Sequence, residues 1–169
     1  MQNNLEDFIG KEAIFIDAKI FLHHAFDIHP VSIEFLNRLE MIHFKAYTSS
    51  LVLEEVSFKL LMQSASNFLD TITVGKVKNL LRNEKKRRRV LAPLLKYMEY
   101  IAMLKESGMT ILDLKGSDMM TALQKTEKHG LITADAAHLA VMERKGIRHM
   151  ATGDSDFMGI FGLTLWSPK

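Results

Sequence analysis

Cysteine is absent from the 169 residues, which excludes disulfides, thiolate nucleophiles and Cys-ligated zinc or iron–sulfur centres. Any metal must therefore use oxygen or histidine ligands. No apolar run approaches the roughly 18 residues of a membrane span. The opening Met1-Gln2-Asn3-Asn4-Leu5-Glu6-Asp7 lacks the charged-then-apolar order of a secretory signal, so a cytoplasmic location is expected. There is no Gly-x-x-x-x-Gly-Lys phosphate loop. An aspartyl phosphatase of the haloacid-dehalogenase kind would need a second acid where Lys19 stands. Asp154-Ser155-Asp156 with Gly159 starts like a calcium loop, but its twelfth position is Leu165 rather than Glu. Repeats, low-complexity segments and Pro/Gly/Ser-rich linkers are missing too. What remains is 47% apolar and 25% charged residues, the composition of one globular domain spanning 1–169.

Apolar patterning alternates strand and helix, as in an α/β domain with a mainly parallel sheet. Ala13 to Asp17 reads as the first strand, Ile20 to Phe26 as a short helix, and Pro30 as the first residue of the next helix. Lys45 to Thr48 gives a second strand. Ser49/Ser50 then cap a helix carrying Leu51, Val52, Glu55, Val56 and Leu60. The middle, about 66–105, reads as helical and enlarged, with Asn83 to Arg89 separating two helices and Pro93 opening or kinking the second. Met109 to Leu112 is a third strand. Ser117 caps a helix that Gly130 closes, and Thr133 another that Gly146 closes. His149 to Thr152 is a fourth strand, and Leu163 to Trp166 a short edge strand. The eleven Met and ten Phe fall at helical spacings and read chiefly as core.

Acids recur where apolar runs meet loops or helix starts: Asp17, Glu55, Asp135 and the pair Asp154/Asp156. Residues just past the carboxyl ends of parallel strands converge on one edge. Carboxylates gathered there repel one another unless a cation neutralises them or their pKa values rise. The pattern therefore points to Mg²⁺ or Mn²⁺. Each acid also has a structural reading: Asp135 as a first-turn stabiliser, Glu55 as the i+4 partner of Lys59, Asp154/Asp156 as a turn. Their joint occurrence in one layout favours the metal.

The net charge of +2 is unevenly spread: residues 76–105 hold ten Lys/Arg against Glu84 and Glu99, leaving about −6 for the rest. Lys85, Lys86, Arg87, Arg88 and Arg89 form either a solvated helix face or turn, or a loop lying over the phosphate backbone of a nucleic acid.

Four segments together resemble the PIN-domain family, VapC-type toxins in particular: FIDAKIFL (15–22), TSSLVLEEVSFKL (48–60), GLITADAAHLAVM (130–142) and HMATGDSDF (149–157). The resemblance implies a PIN-like three-layer fold with a sheet of four to five strands. It implies a metal-dependent endoribonuclease, generally a homodimer, paired with a small antitoxin protein. Asp17, Glu55, Asp135 and Asp154 would be its acids, holding Mg²⁺ or Mn²⁺ with Asp156 assisting. The acid before the branched Val56 selects Glu55 over Glu54. Thr152 matches the family's hydroxyl beside the site and would orient Asp154 or a water. One departure is Lys19, where members usually carry Asn. Its ammonium would compete with the metal for Asp17, contact substrate phosphate, or point to solvent. That departure keeps a second reading open, a catalytically weak or inactive PIN-fold module that binds RNA or a protein. His138, three residues after Asp135, reads as a packed or hydrogen-bonded helix histidine rather than a ligand; the adjacent His23 and His24 carry no assigned role.

Overall fold

The structure is a computed structural model and describes residues 2–169. Among these, six strands form one all-parallel sheet: β1 (Gln2–Asn4), β2 (Ile14–Ile16), β3 (Ala46–Ser49), β4 (Thr110–Leu112), β5 (His149–Ala151) and β6 (Thr164–Ser167). Their spatial order is β1-β6-β5-β2-β3-β4. Ile14, Phe15 and Ile16 are fully buried at the centre, as a continuous apolar run in a parallel sheet demands. Seven α-helices flank the sheet: α1 (Ala18–Ala25), α2 (Pro30–Ile42), α3 (Ser50–Ser66), α4 (Val74–Arg82), α5 (Glu84–Glu106), α6 (Gly116–His129) and α7 (Thr133–Arg144).

The order of the strands positions the site. From β2 the chain steps to β3 and β4 on one side, then returns to β5 and β6 on the other. The direction of winding thus reverses between β2 and β5. At such a switch point the loops leaving the two strands part and leave a crevice at their carboxyl ends. α1 and α3 leave that edge directly after β2 and β3. α7 runs back toward the start of β5, so its first turn lies at the same edge. Asp118 fixes α7 against α6: its carboxylate is 97% shielded and accepts from Arg144 Nε (2.7 Å) and Nη2 (3.0 Å).

Several sequence expectations need correction. The sheet has six strands rather than four or five, because polar Gln2–Asn4, which has no apolar period to reveal it, pairs with β6 through its backbone. β6 is consequently an inner strand and not an edge. Lys85 to Arg89 is no loop: Asn83 Oδ1 accepts from Lys86 N at 3.0 Å, so the helix begins at Glu84 and the charge run fills its first turns. Pro93 does not open α5; it is exposed within the helix, so the Arg89 carbonyl it leaves unpaired can face water. α6 begins at Gly116 with Asp118 accepting from Lys115 N (2.8 Å), and α7 follows Ile132, so neither Ser117 nor Thr133 is the cap. Gly130 does close α6, at the left-handed φ of 71° that favours glycine. Most Phe residues are core, but Met41, Met103, Met119, Met120 and Met158 are exposed. Helical spacing alone does not say which face turns inward.

Two apolar clusters hold the chain. The larger surrounds the sheet and includes Phe15, Phe21, Phe35, Ala137, Val141 and Met150. A smaller one joins the end of α3 to α4 and the start of α5 through Ala65, Val77, Leu80 and Val90.

Candidate metal centre

Asp17 follows β2 directly and caps α1, its Oδ1 accepting from Ala18 N at 2.8 Å. Thr152, directly after β5, donates its hydroxyl to Asp17 Oδ2 at 2.6 Å. The same hydroxyl oxygen accepts from Asp154 N at 2.9 Å. One buried threonine thereby ties together the two strand ends that border the crevice. Asp154 Oδ1 accepts in turn from Asp156 N at 3.0 Å, closing an Asx turn. Asp156 itself is exposed, and its link to the site is this backbone donor.

α3 and α7 supply the remaining groups. Glu55 is half-buried while Glu54 is exposed, and Glu55 Oε1 lies 3.1 Å from His138 Nε2. The i+4 pairing with Lys59 does not form. His138 is almost wholly buried on α7, a helix whose Ala136, Ala137 and Ala140 are buried with it; their small side chains suit close packing. One ligand atom each from Asp17, Glu55 and His138 lies within 4.8 Å of the others. Asp135 occupies the first turn of α7.

Charge coupling links the whole set. Burial pushes the Asp135 carboxyl up to about 6, opposed by His138 and reinforced by Asp154, Asp17 and Glu55. Burial also raises Asp17, against the lowering effects of His138, Thr152 and Ala18. Burial opposes protonation of His138, yet the bond to Glu55 and the nearby Asp17 and Asp135 outweigh it and raise the imidazole. Hard carboxylate oxygens concentrated in a partly dry crevice fit a small divalent cation such as Mg²⁺ or Mn²⁺.

Lys19 is exposed but bonds to the protein rather than to Asp17. Its Nζ donates to the Gly153 carbonyl at 2.8 Å, so the ammonium bridges α1 to the loop that carries Asp154. Its stem lies so close to Gly153 that an added Cβ there would stand 3.0 Å from Lys19 Cδ and would push the lysine stem aside by a few tenths of an ångström. Of the residues named from sequence, Asp17 and Glu55 lie with His138 inside that 4.8 Å group; Asp135 and Asp154 stand outside it, Asp135 linked by charge and Asp154 through the Thr152 hydroxyl that also bonds Asp17, whereas Lys85 to Arg89 lie on the exposed start of α5. Sequence reasoning missed two parts: the bond between His138 and Glu55, and the tether from Lys19. The spacing of Asp135 and His138 on one helix face was the signal for the first. The second left none.

Comparison with known proteins follows this geometry. The sequence model of the PIN domain family matches residues 14–160. A search of curated protein sequences finds no significant match. The fold is similar to a chain of VapBC2 from Rickettsia felis, solved bound to a DNA fragment from its promoter, at 14% identity and a TM-score of 0.57, covering 93% of this chain and 99% of that one. It is similar to PAE2754 from Pyrobaculum aerophilum at 16% identity and a TM-score of 0.54, covering 96% and 90%. It also resembles VapC20 from Mycobacterium tuberculosis, described as a sarcin-ricin loop cleaving toxin, at 18% identity and a TM-score of 0.51, covering 86% and 92%. At these identities the likeness shows the fold.

Proposed function

The chain belongs to the PIN domain family, and from that premise we propose that it is a divalent-metal-dependent endoribonuclease, the toxin of a toxin–antitoxin pair. The observation that carries this is the gathering of Asp17 and Glu55 with His138 beside the β2–β5 switch point, with Asp135 and Asp154 close enough to be coupled to it by charge. Structures of similar fold described as a toxin–antitoxin complex and as a sarcin-ricin loop cleaving toxin support the biological setting. A small antitoxin protein as partner and a homodimer as working form belong to the same reading.

In this mechanism Asp17, Asp135 and Asp154 would hold Mg²⁺ or Mn²⁺, with Glu55 beside them and Asp156 fixing Asp154. The chemistry such a cation would supply is activation of a water and neutralisation of charge on the phosphate and leaving oxygens. The chain's own residues supply orientation. Thr152 aims Asp17 and pins the Asp154 backbone. His138 fixes the Glu55 rotamer, a supporting contact of the kind that tunes metal sites. Lys19 holds the Asp154 loop against α1. That Lys19 donates to a carbonyl rather than to Asp17 favours the catalytic reading over an inactive binding module.

The test is cleavage of a mixed RNA panel with Mn²⁺, with Mg²⁺ and with EDTA, beside a matched DNA panel. Internal RNA cuts that need the divalent ion are expected, leaving 5′-phosphate and 3′-hydroxyl ends. Equal cutting in EDTA, or preference for DNA, contradicts the proposal.

A further inference from the structure

Between residues 76 and 89 the α4–α5 hairpin carries eight Lys/Arg and a single acid, Glu84, and all nine side chains are exposed. A groove of about 530 Å³ runs over its tip, lined by Asn83, Glu84, Lys85, Arg88 and Arg89. Its arginines are held in place: Arg88 Nη2 donates to Glu84 Oε1 at 2.6 Å, and the Arg89 guanidinium lies 5.1 Å from the Phe68 ring centroid. Lys85 and Lys86 form no ion pair among the described residues.

Arg87, which donates to the Leu81 carbonyl at 3.3 Å, and Arg89 over Phe68 help tie the hairpin, but Lys85 and Lys86 do not. The small apolar cluster of Ala65, Val77, Leu80 and Val90 closes the hairpin without them. Five consecutive cations in the opening turns of α5 oppose the helix dipole, whose amino end prefers negative charge. Such a local conflict is expected where a sequence serves something other than its own stability. The crevice, by contrast, is lined with carboxylates that repel a polyanion, so a nucleic acid cut there must be gripped elsewhere.

We propose that the exposed cationic tip of the α4–α5 hairpin is an accessory binding site for the phosphate backbone of the RNA, separate from the scissile bond. This rests on the ribonuclease reading above and adds to it where the flanking RNA lies. From Arg88 to Tyr97, whose hydroxyl donates to the Phe21 carbonyl of α1, α5 advances on the order of 14 Å at its standard rise. An RNA occupying both sites must bridge at least that span, so longer RNAs bind more tightly than short ones of matching sequence.

The experiment compares the full chain with K85Q/K86Q/R88Q, reading the anisotropy of labelled long and short RNA in EDTA from about 50 to 200 mM salt. For the long RNA, the slope of log affinity against log salt should be shallower in the variant by about 2, at roughly 0.7 per lost phosphate contact. The melting temperature should hold or rise, because the removed charges opposed the helix dipole. K85E/K86E, better suited to that helix terminus, should fold at least as well as the wild type and bind the long RNA more weakly. An unchanged salt slope in both variants overturns the proposal. So does wild-type binding to anionic phospholipid vesicles that the variants lose while keeping RNA binding, which assigns the face to a membrane. Because binding is read without a divalent ion, absence of cleavage by the wild type sinks the nuclease reading and not this one.

Discussion

The crevice between β2 and β5 and the tip of the α4–α5 hairpin carry charge of opposite sign and are built in opposite ways. In the crevice most acids are held by fixed partners: Asp17 accepts from Ala18 and Thr152, Glu55 meets His138, and Asp154 is pinned through its own backbone and that of Asp156. At the tip the cations are exposed, and two lysines lack ion pairs. Buried charge is costly and must be satisfied within the fold, whereas exposed charge can wait for a partner. The acid set therefore reads as a preorganised centre, and the basic set as a surface whose partner lies outside the chain.

Breaking the acid set should have the largest effect. Asp135→Asn keeps the size of the side chain and removes one charge, and RNA cleavage should fall by a factor on the order of 10²–10³, as for loss of one transition-state-stabilising group. Rate assays at saturating Mn²⁺ check this, and undiminished cleavage would place the activity elsewhere.

Loosening the hairpin separates the two regions. Leu80→Ala, in the small cluster, should cost about 2–3 kcal/mol of stability, near the lower end for buried leucine because the cluster is small. Mn²⁺ affinity should stay unchanged, since the crevice belongs to the other core; chemical denaturation and calorimetry read the pair. A parallel loss of Mn²⁺ binding would show that the regions are coupled.

Thr152→Val removes both hydrogen bonds that join the strand ends while preserving shape. A loss of about 10–100-fold in metal affinity or rate is expected, the usual effect of removing a group that orients a ligand. Mn²⁺ titration of activity distinguishes this from a fold defect, because excess metal should restore part of the rate.

Carboxylates of two kinds sharpen the comparison through pH. Asp17 and Asp135 have raised values. Their contribution to stability is present below the unfolded value near 3.8 and is lost as pH rises through the folded value, about 6 for Asp135. His138, also raised, stabilises below 6.5 and loses that contribution as pH climbs through its folded value. Asp118 behaves oppositely: the Arg144 bond lowers it, so its contribution is present above 3.8 and is lost on acidification. Added Mn²⁺ should therefore raise the melting temperature more at pH 7.5 than at pH 5, because protons vacate the crevice in between. Thermal melts at the two pH values test this, and an equal increment contradicts it.

Much of the arrangement was legible in the sequence because its acids follow apolar runs. Asp17 stands after Ile14–Ile16, and Thr152 and Asp154 after His149–Ala151, so strand recognition placed them at one edge. Partnerships across the chain were not legible. Glu55 and His138 are 83 residues apart, and Lys19 reaches Gly153 across 134; no local pattern encodes either. β1 escaped notice because Gln2–Asn4 is polar and acquires its strand geometry from β6. The start of α5 at Glu84 was not legible because the charge run masked the capping role of Asn83, which left helix face and loop both open for Lys85 to Arg89.

Direct Mn²⁺ binding tests the central claim that these carboxylates act as one cation site. Calorimetric titration at pH 7.5 of the wild type and of Asp17→Asn, which retains an oxygen able to cap α1, isolates the charge at the middle of the cluster. Saturable binding by the wild type, weakened at least tenfold in the variant with its melting temperature in EDTA maintained or raised, is the predicted result. Equal Mn²⁺ affinity in both proteins, or no saturable binding in either, would contradict it.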